Sequence, residues 1–206
     1  PMVAARNSNV AFCVLLAGAG IRGDKLLLRQ TNDISKAMET PDSIRMSEDQ
    51  TNRKAFDIIL NTKDIEKQKS ELAALIRENV QKMAQDAAPE EVEKRLAAIL
   101  QQLTSPWFQY FVKYDPAPTL SKVKCRVLAL NGERDLQVSP KENLTAIRKA
   151  LEAGGNKNFR IVELPRLNHL FQECQTGVPS EYGSIEQTFS PKALETIAKW
   201  IKENNI

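Results

Sequence analysis

The sequence predicts an α/β protein, and three features of the chain lead to that class. Apolar runs at residues 10–17, 125–130 and 159–164 have the length and the continuous hydrophobicity of buried parallel strands. Amphipathic segments at about 140–153 and about 191–204 follow the second and third runs. Glycine-containing turns close the first two runs and the first of these helices. The alternation of strand and helix is typical of a parallel sheet flanked by helices.

The residues around the first strand fit the same scheme. Residues 1–8 are predicted to form the last turns of a helix that leads into the strand. Gly18, Gly20 and Gly23 follow the strand, as expected where a central parallel strand ends and the backbone turns away from the sheet. The first strand is therefore predicted to lie inside the sheet unit, with a turn rich in glycine after it.

A long helical stretch separates the first two strands. Residues 24–104 have helical periodicity throughout, with alternating acidic and basic residues on the solvated faces. Because a connection between parallel strands needs a single helix, a stretch of this length is predicted to be an insertion. We expect a helical cap at residues 24–114 over one end of the sheet, and an α/β core made of residues 1–23 and 115–206.

Aromatic residues cluster where this insertion ends. Trp107, Phe108 and Tyr110 belong to the cluster, which a proline-containing return to the core follows. Two interpretations stay open for these side chains. They pack within the cap, or some of them line a substrate pocket.

Composition and charge exclude several function classes. The chain has 206 residues, 29 basic and 26 acidic, and a formal net charge of +3, so no extended basic field favours nucleic acid as a partner. No segment has the roughly 18 to 20 continuous apolar residues of a membrane span. A soluble protein is expected, in the cytoplasm or in a periplasmic or secreted location. Cys13, Cys125 and Cys174 are predicted to be buried free thiols, and a single histidine gives little support to a zinc site.

An acid and a base follow the second and third strands. Asp135 comes shortly after Asn131-Gly132, and His169 follows the third strand. Sites of α/β proteins assemble in the loops at the carboxyl ends of parallel strands. A carboxylate there can hold the imidazole through its Nδ1 hydrogen and leave Nε2 free to take a proton from a serine hydroxyl. The alternatives are a structural histidine, a helix-capping role for Asp135, or Glu133 or Glu142 as the acid.

The sequence around these two residues resembles a known family. Gly132, Asp135, Val138 and Pro140 form the pattern Gly-x-x-Asp-x-x-Val-x-Pro, and Asn-His follows at His169. This combination resembles the dienelactone-hydrolase-like and esterase-like branch of the α/β-hydrolases, in which acid and base follow the serine in this order.

The resemblance extends over most of the chain. Residues 1–7 are similar to the helix that directly follows the nucleophile elbow of such enzymes, and residues 14–18 are similar to their next strand. The insertion lies where these enzymes usually carry a helical cap. Residues 107–116 resemble the aromatic return from that cap. The fold that the resemblance implies is the carboxyl-terminal part of an α/β-hydrolase with an inserted cap.

The activity that the resemblance implies is the hydrolysis of carboxylic esters through an acyl-enzyme. His169 would serve as general base and then as general acid, and Asp135 would orient it. Trp107, Phe108 and Tyr110 would help to define the pocket for a small acyl ester. This chemistry requires no metal or organic cofactor.

The nucleophile of such an enzyme has no candidate in these residues. No Gly-x-Ser-x-Gly occurs in the chain, and Ser139, Ser180 and Ser184 are predicted to be turn residues. We therefore expect the serine to precede Pro1, and the 206 residues to be inactive alone. The first strands of the sheet would be missing as well, and the missing amino-terminal segment or a second copy of the chain would cover the exposed edge.

Other functions stay open. Within the hydrolases, a peptidase or a thioesterase uses the same site, because the selecting pocket is built from loops. A noncatalytic ligand-binding protein of α/β-hydrolase type would keep acid and base as relics. A third alternative treats residues 24–104 as an independent helical interaction module.

Overall fold

The computed structural model describes residues 1–83 and 88–204 and has an α/β architecture. Three strands form one parallel sheet in the order β1-β2-β3: β1 (Phe12–Leu16), β2 (Arg126–Gly132) and β3 (Phe159–Leu164). The helices are α1 (Gly23–Ala37), α2 (Asp42–Asn61), α3 (Ile65–Met83), α4 (Pro89–Leu103), α5 (Pro106–Lys113), α6 (Ala117–Leu120), α7 (Pro140–Ala153) and α8 (Pro191–Glu203), with a 3₁₀ helix at Pro179–Ser184. The α/β class predicted from the sequence is confirmed.

Strand register aligns the carboxyl ends of the strands. Leu16 of β1 pairs with Leu130 of β2, and Gly132 at the end of β2 pairs with Leu164 at the end of β3. The loops that follow β2 and β3 therefore leave the sheet from the same edge. β1 is an edge strand of this sheet, and its Leu16 side chain is exposed.

The chain divides into two compact units. One unit comprises Pro1–Glu39 and the chain from Asp115 onward, and the other comprises Thr40–Tyr114. The helical unit thus begins at Thr40, whereas the sequence placed the start of the insertion at residue 24. Helix α1 accounts for this difference, because it belongs to the sheet unit.

Side-chain contacts tie α1 to the sheet unit. Arg29 forms an ion pair with Glu142 of α7 at 3.1 Å. Gln30 donates a hydrogen bond from Nε2 to Oε1 of Gln137 at 3.3 Å. Helix α1 therefore packs beside the loop that follows β2, and its sequence periodicity gave no sign of that partner.

The core of the sheet unit lies between the sheet and α7. Burial of aliphatic side chains on both elements removes them from water and is the main favourable term in forming this unit. The buried cluster consists of Leu15, Leu120, Val123, Val127, Ala129, Leu144, Ile147, Ala150 and Leu151. Phe12 of β1 also meets Trp200 of α8 edge to face, with ring centroids 5.9 Å apart.

The helical unit has its own core. Its amphipathic helices bury one apolar stripe each, as their sequence periodicity predicted. The buried apolar residues include Phe56, Ile59, Leu72, Ile76, Leu96, Phe108 and Val112. Gln68 is the buried polar member, and its Nε2 donates to the carbonyl of Thr62 at 2.9 Å at the end of α2.

Two smaller features complete the fold. Residues 1–8 form hydrogen-bonded turns and no continuous helix, with the Ala5 N–H donating to the Pro1 carbonyl at 2.8 Å, so the prediction of a helix end there was wrong in that respect. Among the described residues, no helix combines the length and the apolar character needed to cross a bilayer.

Candidate active site

Backbone hydrogen bonds hold the loops after β2 and β3 against each other. The Glu133 N–H donates to the carbonyl of Leu164 at 2.8 Å, and the Arg134 N–H donates to the carbonyl of Leu167 at 2.9 Å. In the opposite direction, the Arg166 N–H donates to Oε2 of Glu133 at 2.8 Å. The two loops therefore form one hydrogen-bonded body that continues the β2–β3 pairing beyond the sheet.

Asp135 is buried in this body, with 2% of its surface exposed. Its Oδ1 accepts the N–H groups of Gln137 at 2.9 Å and Val138 at 2.8 Å. Its Oδ2 accepts Nδ2 of Asn131 at 3.2 Å and lies 2.9 Å from Nδ1 of His169. A buried carboxylate is stable only when donors satisfy it, and these four donors hold the group in one orientation.

His169 meets Asp135 through one defined nitrogen. Because a carboxylate only accepts, the contact at Nδ1 favours the neutral tautomer with its proton on Nδ1. The histidine side chain is 27% exposed, whereas that of Asp135 is fully buried. Nε2 is then the unprotonated ring nitrogen. With Nδ1 bonded to the carboxylate, the imidazole can accept a proton at Nε2.

Asn168 shapes the turn that carries His169. Its side chain is fully buried, and its Oδ1 accepts the N–H groups of Leu170 and Gln172, both at 2.9 Å. Phe171 in this turn has a φ of 58°, a left-handed conformation that side chains other than glycine rarely adopt. The Phe171 carbonyl accepts the Ser190 N–H at 2.8 Å. These bonds hold the strained backbone that places the imidazole.

Asn131 is a site residue that the sequence analysis missed. It is fully buried at the end of β2, and its Nδ2 donates to the Val138 carbonyl at 2.7 Å as well as to Asp135. Its Oδ1 is buried without a hydrogen-bond partner in the described structure. The available signal was an amide side chain directly after the apolar run of a buried strand. The sequence pattern predicts Asn131-Gly132 only as a turn.

Tyr182 and Gln137 lie beside the acid and base. Gln137 Nε2 donates to the Tyr182 hydroxyl at 3.1 Å. Burial raises the pKa of Tyr182, the bond from Gln137 opposes this, and the charge of nearby Asp135 adds to it. Tyr182 therefore stays a phenol at neutral pH and keeps a hydroxyl proton to donate. Sequence reasoning missed it because no periodic element or motif marks it.

Glu181 organises the segment that leads to Tyr182. Its carboxylate accepts the N–H groups of Gln175 at 2.6 Å, Thr176 at 3.0 Å and Gly177 at 3.0 Å, and the Thr176 hydroxyl at 2.6 Å. The bond from the Thr176 hydroxyl and those from the backbone lower the pKa of Glu181 to about 2. Gly177 has a φ of 79°, which lets three successive N–H groups converge on one carboxylate.

The two other acids considered from the sequence have different partners. Glu133 accepts the Arg166 N–H, and Glu142 pairs with Arg29 at 3.1 Å. Of the three carboxylates considered from the sequence, Asp135 is the one that meets the imidazole.

The three serines considered from the sequence lie in ordinary local structure. Ser139 is the residue that precedes α7, and its carbonyl accepts the Asn143 N–H at 3.1 Å. Ser180 and Ser184 lie in the 3₁₀ helix, where the Ser184 hydroxyl donates to the Glu181 carbonyl at 2.8 Å. Ser180 and Ser184 lie in the 3₁₀ helix, and Ser139 lies between β2 and α7 at the start of that helix, but none of the three stands in a Gly-x-Ser-x-Gly turn.

The aromatic residues predicted to bind substrate lie on α5 in the helical unit. Phe108 is buried and packs against Phe56, with ring centroids 6.4 Å apart. Trp107 and Tyr110 are exposed and stack on aromatic neighbours one turn away on the same chain segment, at 5.3 Å and 5.5 Å. Phe108 is thus a packing residue of its unit, while Trp107 and Tyr110 present aromatic surface to solvent.

Comparisons with known proteins identify no relative. No family model matches the chain, no curated protein matches it, and no solved structure matches its fold. In the part of the chain that the structure describes, no group of three or more histidine, cysteine, aspartate or glutamate side chains is arranged to hold a metal ion.

Proposed function

We propose that Asp135 and His169 are the acid and the base of a serine hydrolase that cleaves carboxylic esters through an acyl-enzyme. The observation that carries the proposal is the 2.9 Å contact between His169 Nδ1 and Asp135 Oδ2, made by two loops at the carboxyl ends of neighbouring parallel strands. The resemblance of the residues around them to esterase-like α/β-hydrolases supports the same function.

The geometry suits the two proton transfers of acyl transfer. In the first step, Nε2 of His169 takes the proton of the serine hydroxyl as that oxygen attacks the ester carbonyl. The imidazolium then gives its proton to the departing alcohol. In the second step, a water molecule replaces the alcohol and is activated by the same nitrogen. Asp135 stabilises the imidazolium and fixes its orientation without taking the proton itself.

The nucleophilic serine in this proposal is contributed from outside these 206 residues. No Gly-x-Ser-x-Gly occurs in them, and the three serines nearest in sequence to the acid and base loops lie in turns or at a helix start.

The test uses the complete gene product, including any residues that precede Pro1. We expect a fluorophosphonate probe to label one serine and nitrophenyl esters to be hydrolysed. His169→Ala should lower kcat by about 10³ to 10⁶. Lys149→Ala, an exposed change on α7, is the matched control and should leave turnover unchanged.

The outcomes separate the alternatives. A folded protein that takes no fluorophosphonate and hydrolyses no ester contradicts the proposal, and acyl compounds binding to it without turnover would favour the noncatalytic ligand-binding function. Nitrophenyl esters of graded chain length, an anilide and a thioester, compared by kcat/KM, distinguish the esterase from a peptidase or a thioesterase.

A further inference from the structure

Two of the three cysteines face each other across the sheet. Cys13 lies in β1 and Cys125 lies directly before β2, and their Sγ atoms are 3.8 Å apart. Cys13 pairs in register with Val127, two positions after Cys125. Side chains two positions apart on a strand lie on the same face, so both thiols extend from one face of the sheet. Both pack, half-buried, against the main core of the sheet unit.

The third cysteine has a different environment. Cys174 is buried, and its Sγ donates to the Arg166 carbonyl at 3.4 Å. Burial raises the pKa of Cys174, and burial together with the neighbouring Cys13 thiol raises the pKa of Cys125 to about 11. At neutral pH the raised pKa keeps the Cys125 thiol protonated, so the thiolate that attacks a disulfide becomes more abundant as the pH rises.

A cavity gives access to one member of the pair. The cavity has a volume of about 600 Å³, and Cys125 lies in its wall. The amino-terminal turns and the segment before β2 form the rest of the wall, which includes the cationic residues Arg6, Lys122 and Lys124. Lys124 is partly engaged, since its Nζ donates to the Gly154 carbonyl. Cys125 therefore lies in a cavity wall that carries positive charge.

We propose that Cys125 and Cys13 form a thiol–disulfide exchange site for an anionic low-molecular-weight disulfide, of which glutathione disulfide is the probe. The Cys125 thiol loses its proton to solvent, and its sulfur attacks one sulfur of the probe. The sulfur–sulfur bond of the probe breaks, and one glutathione leaves as a thiolate that takes up a proton.

The second step closes the protein disulfide. The Cys13 sulfur, after losing its proton, attacks the Cys125 sulfur of the mixed disulfide, and the second glutathione leaves and is protonated. The protein dithiol is oxidised by two electrons, and one disulfide molecule is reduced to two thiols. Closure brings the two Sγ atoms from 3.8 Å to the bonded distance of about 2.0 Å. Because Cys125 is offset by two positions from the residue that pairs with Cys13, the segment before β2 moves together with the side chains. The new bond ties β1 to β2.

The experiment oxidises the chain with glutathione disulfide, blocks the remaining thiols with an alkylating reagent and maps the peptides by mass spectrometry. We expect one cross-linked peptide that joins Cys13 to Cys125, no retained glutathione and an alkylated Cys174. We also expect the oxidised chain to unfold at a higher urea concentration than the reduced chain, because the cross-link restricts the unfolded state.

Variants assign the two steps. Cys13→Ser should halt the reaction at the first step and retain one glutathione on Cys125. Cys125→Ser should slow modification at Cys13 by at least about tenfold, because the cavity wall then holds no thiol. Cys174→Ser is the matched control and should oxidise as the wild type does. If a variant fails to fold, the peptide map of the wild-type chain still tests whether Cys13 and Cys125 become cross-linked.

Charge is tested by comparing two oxidants. Arg6→Glu together with Lys122→Glu should slow oxidation by glutathione disulfide several-fold and leave the rate with uncharged hydroxyethyl disulfide unchanged. The proposal is overturned if the wild type keeps all three thiols in excess glutathione disulfide, if the cross-link involves Cys174, or if Cys13→Ser retains no glutathione. Equal slowing with both oxidants would contradict the charged cavity. None of these outcomes depends on ester hydrolysis.

Discussion

Gly132 lies directly against the carbonyl of Leu167. A Cβ atom built at Gly132 would be 2.2 Å from the Leu167 oxygen and 2.7 Å from the Asn168 oxygen. The end of β2 and the loop that carries His169 are therefore in backbone contact. Glycine is required at this position by close approach, which fixes the distance between the acid loop and the base loop.

Gly132→Ala should displace the His169 loop. The added methyl group meets backbone atoms that cannot rotate away, so we expect the free energy of unfolding to fall by about 1 to 3 kcal/mol. Urea denaturation of the chain measures this free energy of unfolding. Gly183→Ala is the control, since a Cβ at Gly183 meets no atom within 4 Å. Equal free energies of unfolding for the two variants would show that the His169 loop accommodates the methyl group without loss of stability.

Asp135→Asn should change the state of His169. The amide can present its NH₂ group to Nδ1, which favours the tautomer with its proton on Nε2. In the complete protein, we expect ester turnover to fall by about 10⁴. Because the chain has one histidine, its ring ¹⁵N signals report the tautomer without overlap. Glu133→Gln is the control, and a larger loss there would move the acid role to Glu133.

Asn131→Ala should weaken the hydrogen bonding that holds the Asp135 carboxylate in place. The change removes the donor that Asp135 Oδ2 and the Val138 carbonyl share, and it leaves both acceptors buried. We expect the free energy of unfolding to fall by about 1 to 3 kcal/mol. As a positioning residue, Asn131 should also affect the ¹⁵N tautomer signals of His169, which a purely structural role would leave unchanged. Asn156→Ala, which removes a buried amide bonded to the Val123 and Cys125 carbonyls, is the structural control.

Glu181→Gln should make the free energy of unfolding less dependent on pH at acid pH. The pKa of Glu181 is lowered from 4.5 to about 2 in the folded chain, so the unfolded chain binds its proton first as the pH falls. Its contribution is fully present above about pH 4.5 and is lost progressively toward about pH 2. Free energies of unfolding across this range should therefore fall less in Glu181→Gln than in the wild type. Glu186→Gln should follow the wild type, and parallel curves for all three proteins would contradict the assigned role of Glu181.

Much of the sheet unit was predictable because local pattern and structure agree there. The third strand lies at residues 159–164, as its apolar run predicted, and α7 spans 140–153. Strand β1 is shorter than its apolar run, and β2 continues through Asn131 and Gly132. Hydrophobicity marks burial, whereas the end of a strand is set by pairing, and these two residues pair with Glu163 and Leu164 of β3.

The domain boundary was less predictable for a related reason. Helix α1 has the same amphipathic pattern as the helices of the insertion, so periodicity assigned it to them. Its partners are Gln137 and Glu142, more than a hundred positions away in the chain. An apolar stripe indicates that a helix packs against another element, but it does not identify which element that is.

The sequence by itself predicted the α/β class, the approximate positions of the three strands and the two residues, Asp135 and His169, whose side chains meet. Those features depend on local periodicity and on residue type at strand ends. Tertiary structure alone decided that Asn131 and Tyr182 flank the pair and that Cys13 meets Cys125. The cysteine contact joins positions 112 residues apart, whereas Asn131 and Asp135 are four residues apart. In both cases strand register and loop packing, which no local pattern encodes, bring the side chains together.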